Sequence, residues 1–449
     1  MRVFLISASE LKTPYPVYPL GLDYLAGILG DRHRVEILDL NEAGIAGELD
    51  KRLKDFSPHI VGISLRNIDN TDAQNPEGFV GRLKELVRLV RQLTEAPVVL
   101  GGSGFSLFPR EIMEVLDADY GIVGEGEPIL PFLDRLERSQ NVSGIPGLLR
   151  RNSKLSSKVP WQLPLHRHFD PDSPHVRFYI DNGGMLNLQT KRGCPFACIY
   201  CTYPHLEGKY LRLHPPEEVA RTAKALQQAG AKFLYITDSI FNSDYDHCLD
   251  IARAFRKHAV SVPWGGFFSP TPPPEDFYRL LADSGLSHIE FGTDSMSDTM
   301  LAAYRKPFRT RDVWQAHRSA VDAGLNVAHY VILGGPGETF ESVDETLTSI
   351  DNLDRTVLFF HCGVRIYPNT ALYQIALEEG RLSESRNLLQ PLFYEPQATS
   401  IDMIFRAVEE RSKNRQNWVF GSDGEQTARE LRRMYARGYS GPLWEYLIK

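Results

Sequence analysis

Three cysteines fall within eight residues in Lys191-Arg-Gly-Cys194-Pro-Phe-Ala-Cys198-Ile-Tyr-Cys201, at the spacing C-x3-C-x2-C. Three thiolates on one tight loop can each hold one iron of a cubane cluster, which leaves the fourth iron without a protein ligand. An open metal position marks a reactive site rather than a structural one. Gly193 suits a loop that must turn sharply just before the first cysteine. The chain has five cysteines, an odd number. A disulfide scaffold would spread them out, whereas clustering points to metal or redox chemistry. Zinc is the competing reading, because His205 follows Cys201 by four residues and would complete a Cys3His set.

The elements around this loop predict how it is held. Strand-like segments recur at Leu186–Thr190, Phe233–Thr237, Val262–Phe268, His288–Gly292, Val327–Leu333 and Leu358–Ile366. Helical segments separate them at Pro216–Ala229, Asp246–His258, Glu275–Ser284, Thr310–Ala323 and Thr339–Leu353. Six β/α units in a row predict a partial TIM-type barrel over residues 186–380, with chemistry at the carboxyl ends of its strands. The cysteine loop follows the first of these strands directly. A mostly helical tail is expected over residues 381–449.

Residues 1–138 also alternate strand and helix, which predicts a doubly wound, Rossmann-like parallel sheet. Turns carrying glycine or serine follow three of its strands: Ser64, Gly101-Gly102 and Gly124. Ligands bind at such strand ends. Residues 139–185, rich in Pro, Ser, Arg and His, read as a linker with a small hairpin at Leu148–Lys158, and His166 and His168 read as surface or capping residues. Composition is that of an ordinary soluble globular protein, 42% apolar and 24% charged, with a formal net charge of -7. That charge argues against a nucleic-acid binder. No run of 18 apolar residues predicts a membrane span, and the short apolar N-terminus reads as a strand rather than a signal peptide. The cytoplasm is the expected location.

A C-x3-C-x2-C motif with an aromatic, Tyr200, before its last cysteine, placed after a first barrel strand, resembles the signature of the radical S-adenosylmethionine (SAM) superfamily. The resemblance implies a [4Fe–4S] cluster on Cys194, Cys198 and Cys201 that chelates SAM and cleaves it reductively, with a flavodoxin- or ferredoxin-like electron donor. It also implies that Tyr200 lies against the adenine and that Thr237, Asp238 and Ser239 receive the SAM amino group. Glu290, Thr293 and Asp294 would face its ribose and carboxylate, and Gly334 and Gly335 would let the adenine pack on backbone. Glu338 reads as first-turn of the next helix.

Further segments resemble the cobalamin-binding branch: Tyr18-Pro-Leu-Gly21-Leu-Asp-Tyr-Leu-Ala26, Val61-Gly-Ile-Ser64, Thr237-Asp-Ser-Ile-Phe-Asn242 and Gly334-Gly-Pro-Gly-Glu-Thr339. In that branch cobalamin lies between the N-terminal sheet and the barrel mouth and relays a methyl group from SAM to a substrate carbon. Ser64, Gly101, Gly102 and Gly124 are then its expected neighbours. His59-Ile-Val-Gly62 has the spacing of a cobalt-ligating motif, but Ser57 stands where its aspartate should be, so His59 is read as coincidence. Residues 1–193 contain no cysteine, which excludes a methylthiotransferase with a second triad. Cys362, Arg365 and Tyr367, placed on the last barrel strand, are the candidate catalytic residues, and Cys248 is read as a small core residue. The expected activity is cobalamin-dependent C-methylation of a small molecule. Ring rearrangement, 3-amino-3-carboxypropyl transfer and a non-catalytic iron–sulfur or zinc protein are the alternatives.

Overall fold

Parallel strands covered by helices on both faces are apolar along their whole length. β1 (Arg2–Ser7) shows the pattern, with Val3, Phe4, Leu5 and Ile6 all buried. The computed structural model describes residues 1–9, 16–43, 48–153, 155, 167–420 and 423–448. β1 runs parallel between β2 (Arg34–Asp39) and β3 (Ile60–Ser64), and β4 (Val98–Gly101) and β5 (Tyr120–Ile122) continue the sheet in parallel. The helix Val80–Leu93 covers one face with Leu83, Leu86, Val87 and Val90, apolar at the spacing of one helical stripe. Each such side chain, fully buried, contributes about 1.5–3 kcal/mol. β6 (Leu148–Arg150) pairs antiparallel with β5. It therefore extends this sheet into the stretch expected to be a linker, while the other half of the expected hairpin, and His166, lie outside the described residues.

The second sheet begins with β7 (Met185–Leu188). A two-residue hairpin follows, β8 (Lys191–Arg192) against β9 (Arg212–Leu213). Then come β10 (Phe233–Ile236), β11 (Trp264–Phe268), β12 (Leu286–Asp294), β13 (Asn326–Leu333) and β14 (Thr356–Cys362). β15 (Val364–Arg365) pairs with β16 (Phe393–Tyr394) outside the main sheet, and β17 (Trp418–Val419) joins it in parallel beside β14. The order is β17-β14-β13-β12-β11-β10-β7, a parallel partial barrel. β16 and β17 lie in the tail expected to be mostly helical; strands of two residues are too short to show a period.

Expected strands and observed ones agree within about two residues, except the last. The run Leu358–Ile366 breaks at Gly363, whose φ of 100° ends β14. A Cβ there would lie 2.8 Å from Cβ of Ala73 in the N-terminal domain. Arg365 and Tyr367 are thus not on the barrel strand that carries Cys362.

One apolar core joins the halves. It contains Leu65 and Ile68 from the first domain, Ile199 and Tyr304 from the barrel, and Leu389 and Tyr394 from the tail. At the other end of the barrel, Trp444 packs on Ala328 and Val357 and closes the lumen from below. No helix among the described residues is long and apolar enough to cross a membrane.

Candidate functional site

The cysteine loop is gripped at its root by one carboxylate. Oδ1 of Asp238 accepts from the backbone N of Thr190 at 2.7 Å and of Lys191 at 3.3 Å. Its Oδ2 accepts from Thr190 Oγ1 at 2.5 Å and from Lys191 Nζ at 2.9 Å. Lys191 and Asp238 are both buried, a pairing that only several hydrogen bonds make affordable. Ser239 Oγ donates to Gly193 O at 3.2 Å. Of the three residues expected to meet the SAM amino group, Asp238 and Ser239 therefore anchor the loop, and Thr237 lines the interdomain cavity. The next helix is capped by Asp244.

Gly193 has φ of 91°, and a Cβ there would stand 2.1 Å from Tyr210 O, so only glycine fits. Its N–H donates to Glu207 Oε2 at 3.0 Å. Cys194 is buried, while Cys198 and Cys201 are partly open. Burial raises the Cys198 thiol and pushes Cys201 up to about 12, so their thiolates need bound metal for compensation. Among the described residues no three His, Cys, Asp or Glu side chains converge on a single ion. A cubane holds each sulfur on a different iron.

Facing the loop, Asp294 ends β12 with φ of 62°, after a register shift between Gly292 and Asp294. Its Oδ2 accepts from the Tyr200 hydroxyl and pairs with Lys306 Nζ at 2.9 Å. Burial opposes the Lys306 charge, but Asp294 outweighs it and holds the ammonium above its usual range. Thr293 turns the other way, into the helix layer, where its Oγ1 meets His329 Nδ1 at 2.6 Å. Glu290 lies four residues, about 13 Å, lower in the lumen. It accepts from Tyr235 Oη at 2.8 Å and Trp444 Nε1 at 3.1 Å, and burial raises its pKa. Neither Thr293 nor Glu290 is therefore placed beside Asp294, because β12 runs two residues past its expected end.

At the end of β13, a Cβ on Gly335 would collide with the Tyr304 ring at 2.1 Å, and Tyr304 Oη accepts from Gly335 N at 3.2 Å. Protein rather than adenine fills that side of Gly335. Gly334, at φ of 96°, donates to Glu338 Oε2 at 3.1 Å. Glu338 precedes its helix, which Thr339 caps, and folds back on the strand end.

A cavity of about 630 Å³ lies where the first sheet meets the barrel. Ser64, Gly101, Gly102 and Gly124 line it at the carboxyl ends of β3 to β5, and Tyr203, Glu207 and Tyr367 line it from the other side. At Gly21, also in its wall, the position of a Cβ is open space. The volume and this glycine-lined cradle fit a large flat ligand. Arg192, two residues before Cys194, also lines the cavity and pairs with Glu125 at 2.9 Å and Glu127 at 2.7 Å. His59 is at the opposite end of β3, where Nδ1 accepts from Arg2 N at 3.0 Å. It cannot reach the cavity.

Two family models match in the same order as the two sheets: a B12 binding domain over residues 10–133 and the Radical SAM superfamily over residues 188–350. The chain belongs to the radical SAM superfamily and carries a B12 binding domain. Tryptophan 2-C-methyltransferase of Streptomyces laurentii is 27% identical over 84% of this chain and 74% of its own. An uncharacterised methyltransferase of Pyrococcus horikoshii is 27% identical over 96% and 89%. The solved structure of the radical SAM methyltransferase TsrM from Kitasatospora setae, with cobalamin and a [4Fe–4S] cluster bound, superposes with a TM-score of 0.89. It covers 99% of this chain and 97% of its own at 23% identity, a likeness of fold.

In this radical SAM protein the residues expected as catalytic are dispersed. Cys362 packs against the outer core, and burial pushes its thiol up to about 12. Arg365 is buried; its Nε meets Asp69 Oδ2 at 3.0 Å, and its other nitrogens reach the carbonyls of Ile366, Leu388 and Leu392. With every nitrogen engaged, it ties the two domains together. Tyr367 does face the cavity. Cys248 is a core residue whose Sγ donates to Phe241 O, and His168 is exposed. Lys306, Asp69 and the His317–His329 pair were missed. No spacing in the sequence marks them, since each acts through partners distant along the chain.

Proposed function

We propose that the protein binds SAM on the open iron of a [4Fe–4S] cluster held by Cys194, Cys198 and Cys201, and methylates a carbon of a small molecule with cobalamin as the methyl carrier. When bound to the three cysteines the cluster would supply an electron for SAM cleavage, and cobalamin held against Ser64, Gly101, Gly102 and Gly124 would supply a methyl relay. The residues divide the work. Asp238, Ser239 and Glu207 fix the loop, so the three sulfurs are presented without rearrangement. Asp294, balanced by Lys306 and bonded to Tyr200, is an acceptor positioned on the lumen side of the cluster loop. Arg192 links the cavity wall to the loop itself. An electron must arrive from outside, so a flavodoxin- or ferredoxin-like protein is the proposed partner.

The observation that carries this reading is one cavity walled on one side by the glycine-bearing ends of β3 to β5 and on the other by the segment following the cluster cysteines. The methyltransferase relatives support it. Anaerobic reconstitution tests it. The expected product is a brown protein with iron and sulfide in equal amounts, a cobalamin spectrum retained after desalting, and S-adenosylhomocysteine formed on adding SAM and reductant. Alanine at any one of the three cysteines should abolish iron binding and turnover. Zinc in place of iron, or a protein that retains no cobalamin, overturns the reading.

A further inference from the structure

The inner face of β14 carries an imidazole that no step above uses. Leu358 and Phe360 point into the outer core and Cys362 packs against it, so Phe359 and His361 point into the lumen. The His361 ring is parallel to Tyr330, at 6.1 Å and 11°, and Tyr330 stacks on Phe359 at 4.8 Å and 17°. His361 is exposed to open space at the carboxyl end of the last main barrel strand. Among the described residues no hydrogen bond reaches its imidazole.

Opposite it stands the loop between β3 and the helix Val80–Leu93. Asp69 seats this loop on the barrel through Arg365, and Ala73 lies against Gly363. Asp72 Oδ1 accepts from Gln74 N at 2.8 Å and Asn75 N at 3.3 Å. Among the described residues no hydrogen bond reaches its Oδ2. Asp72 and Asp294 both lie near enough to act on the charge of His361, and Asp72 also on Cys362. Asp294 is balanced by Lys306 at 2.9 Å, whereas among the described residues no cation pairs with Asp72. Among the described residues neither a hydrogen bond nor an ion pair joins Asp72 to His361, and the packing of Ala73 against Gly363 brings the loop of Asp72 to the strand end that carries His361.

We propose that Asp72 and His361, one from each domain, form a subsite for a protonated amine of the substrate, whose planar part runs along Tyr330 and Phe359. A carboxylate oxygen and an imidazole nitrogen can each accept one ammonium hydrogen. The ring opens onto a lumen walled by protein, and this enclosure lowers the basicity of His361, which keeps it neutral and able to accept. The unbalanced charge of Asp72 repels an anion, and aromatic rings beside the gap favour a cation. The proposal rests on the methyl-transfer reading and narrows its substrate to a planar ring bearing an amine.

Tryptamine is the probe, and tryptophol, with a hydroxyl in place of the ammonium, is its neutral counterpart. Each is titrated calorimetrically into the anaerobically reconstituted holoenzyme with S-adenosylhomocysteine present. Tryptamine should bind about tenfold more tightly, the scale of one charge-assisted hydrogen bond. Asp72→Asn keeps Oδ1 for Gln74 and Asn75 and alters only the free oxygen, so it preserves the turn and should erase the preference. His361→Phe keeps a ring against Tyr330, removes the acceptor and should weaken tryptamine alone. Absence of tryptamine binding, parity between the two probes, or an unchanged preference in Asp72→Asn overturns the proposal. So does an equal loss of S-adenosylhomocysteine affinity, which would assign Asp72 to the cofactor. Cluster content, cobalamin content and S-adenosylhomocysteine formation, read on the same samples, test the methyl-transfer reading separately.

Discussion

At the level of single residues, the most unusual arrangement is a chain of polar groups through the barrel wall. Asp354 lies 3.6 Å from His317 Nε2, His317 Nδ1 is 3.0 Å from His329 Nε2, and His329 Nδ1 is 2.6 Å from Thr293 Oγ1. At 3.6 Å the exposed Asp354 is a charge neighbour rather than a hydrogen-bond partner, and its field favours the proton on His317 Nε2, which leaves Nδ1 to accept from His329. His329 Nδ1 then accepts from Thr293, and both imidazoles are neutral. Burial lowers both, His329 well below its ordinary value. The fold thus binds fewer protons than the unfolded chain. The stability involved is present above the unfolded pKa, about 6.5, and is lost as pH falls through it, at up to about 1.4 kcal/mol per pH unit for each imidazole. His329→Gln should therefore flatten the fall of the urea midpoint of the apo protein between about pH 7 and 5. An unchanged slope would mean that the imidazoles are charged in the fold. The cluster cysteines were legible because their spacing is local. This chain was not, because Thr293, His317 and His329 meet only after β12, β13 and a helix have packed.

At the level of elements, strands read well from sequence where apolar runs were long and flanked by glycine. The lumen face of each strand did not. β12 was expected to stop at Gly292, and its true end at Asp294 moved Glu290 down the barrel. What Glu290 meets there is the C-terminal segment, whose Trp444 Nε1 donates to Oε1 at 3.1 Å while His288 sits edge-on to the indole at 5.0 Å. Trp444→Ala should cost about 3–5 kcal/mol, the range for emptying a buried aromatic site, and it also leaves Glu290 one donor short. Urea denaturation of the apo protein checks this. A loss below about 1 kcal/mol, the scale of a single hydrogen bond, would show that the segment only covers the barrel without supporting it.

For the whole molecule, the two-domain order was legible from alternating strands and helices, and the joint between the domains was not. Its polar contacts join residues far apart in the chain, as Arg365 and Asp69 do at 3.0 Å with both side chains buried. Arg192 and Arg212 add links to Glu125 at 2.9 and 2.8 Å. Because the cavity has one wall from each domain, loosening the joint should weaken cobalamin binding without touching any residue that lines the cluster. Asp69→Asn leaves a buried guanidinium uncompensated, a loss of about 3–5 kcal/mol for a broken buried pair. Adding Arg365→Met removes the stranded charge and should recover part of that loss, since apolar replacement of both partners is often near neutral. Urea unfolding and cobalamin titration of the single and double variants should move together. A single variant that loses stability yet binds cobalamin as the parent does would show that the apolar core alone, through Leu65, Ile68, Ile199 and Tyr304, sets the width of the cavity.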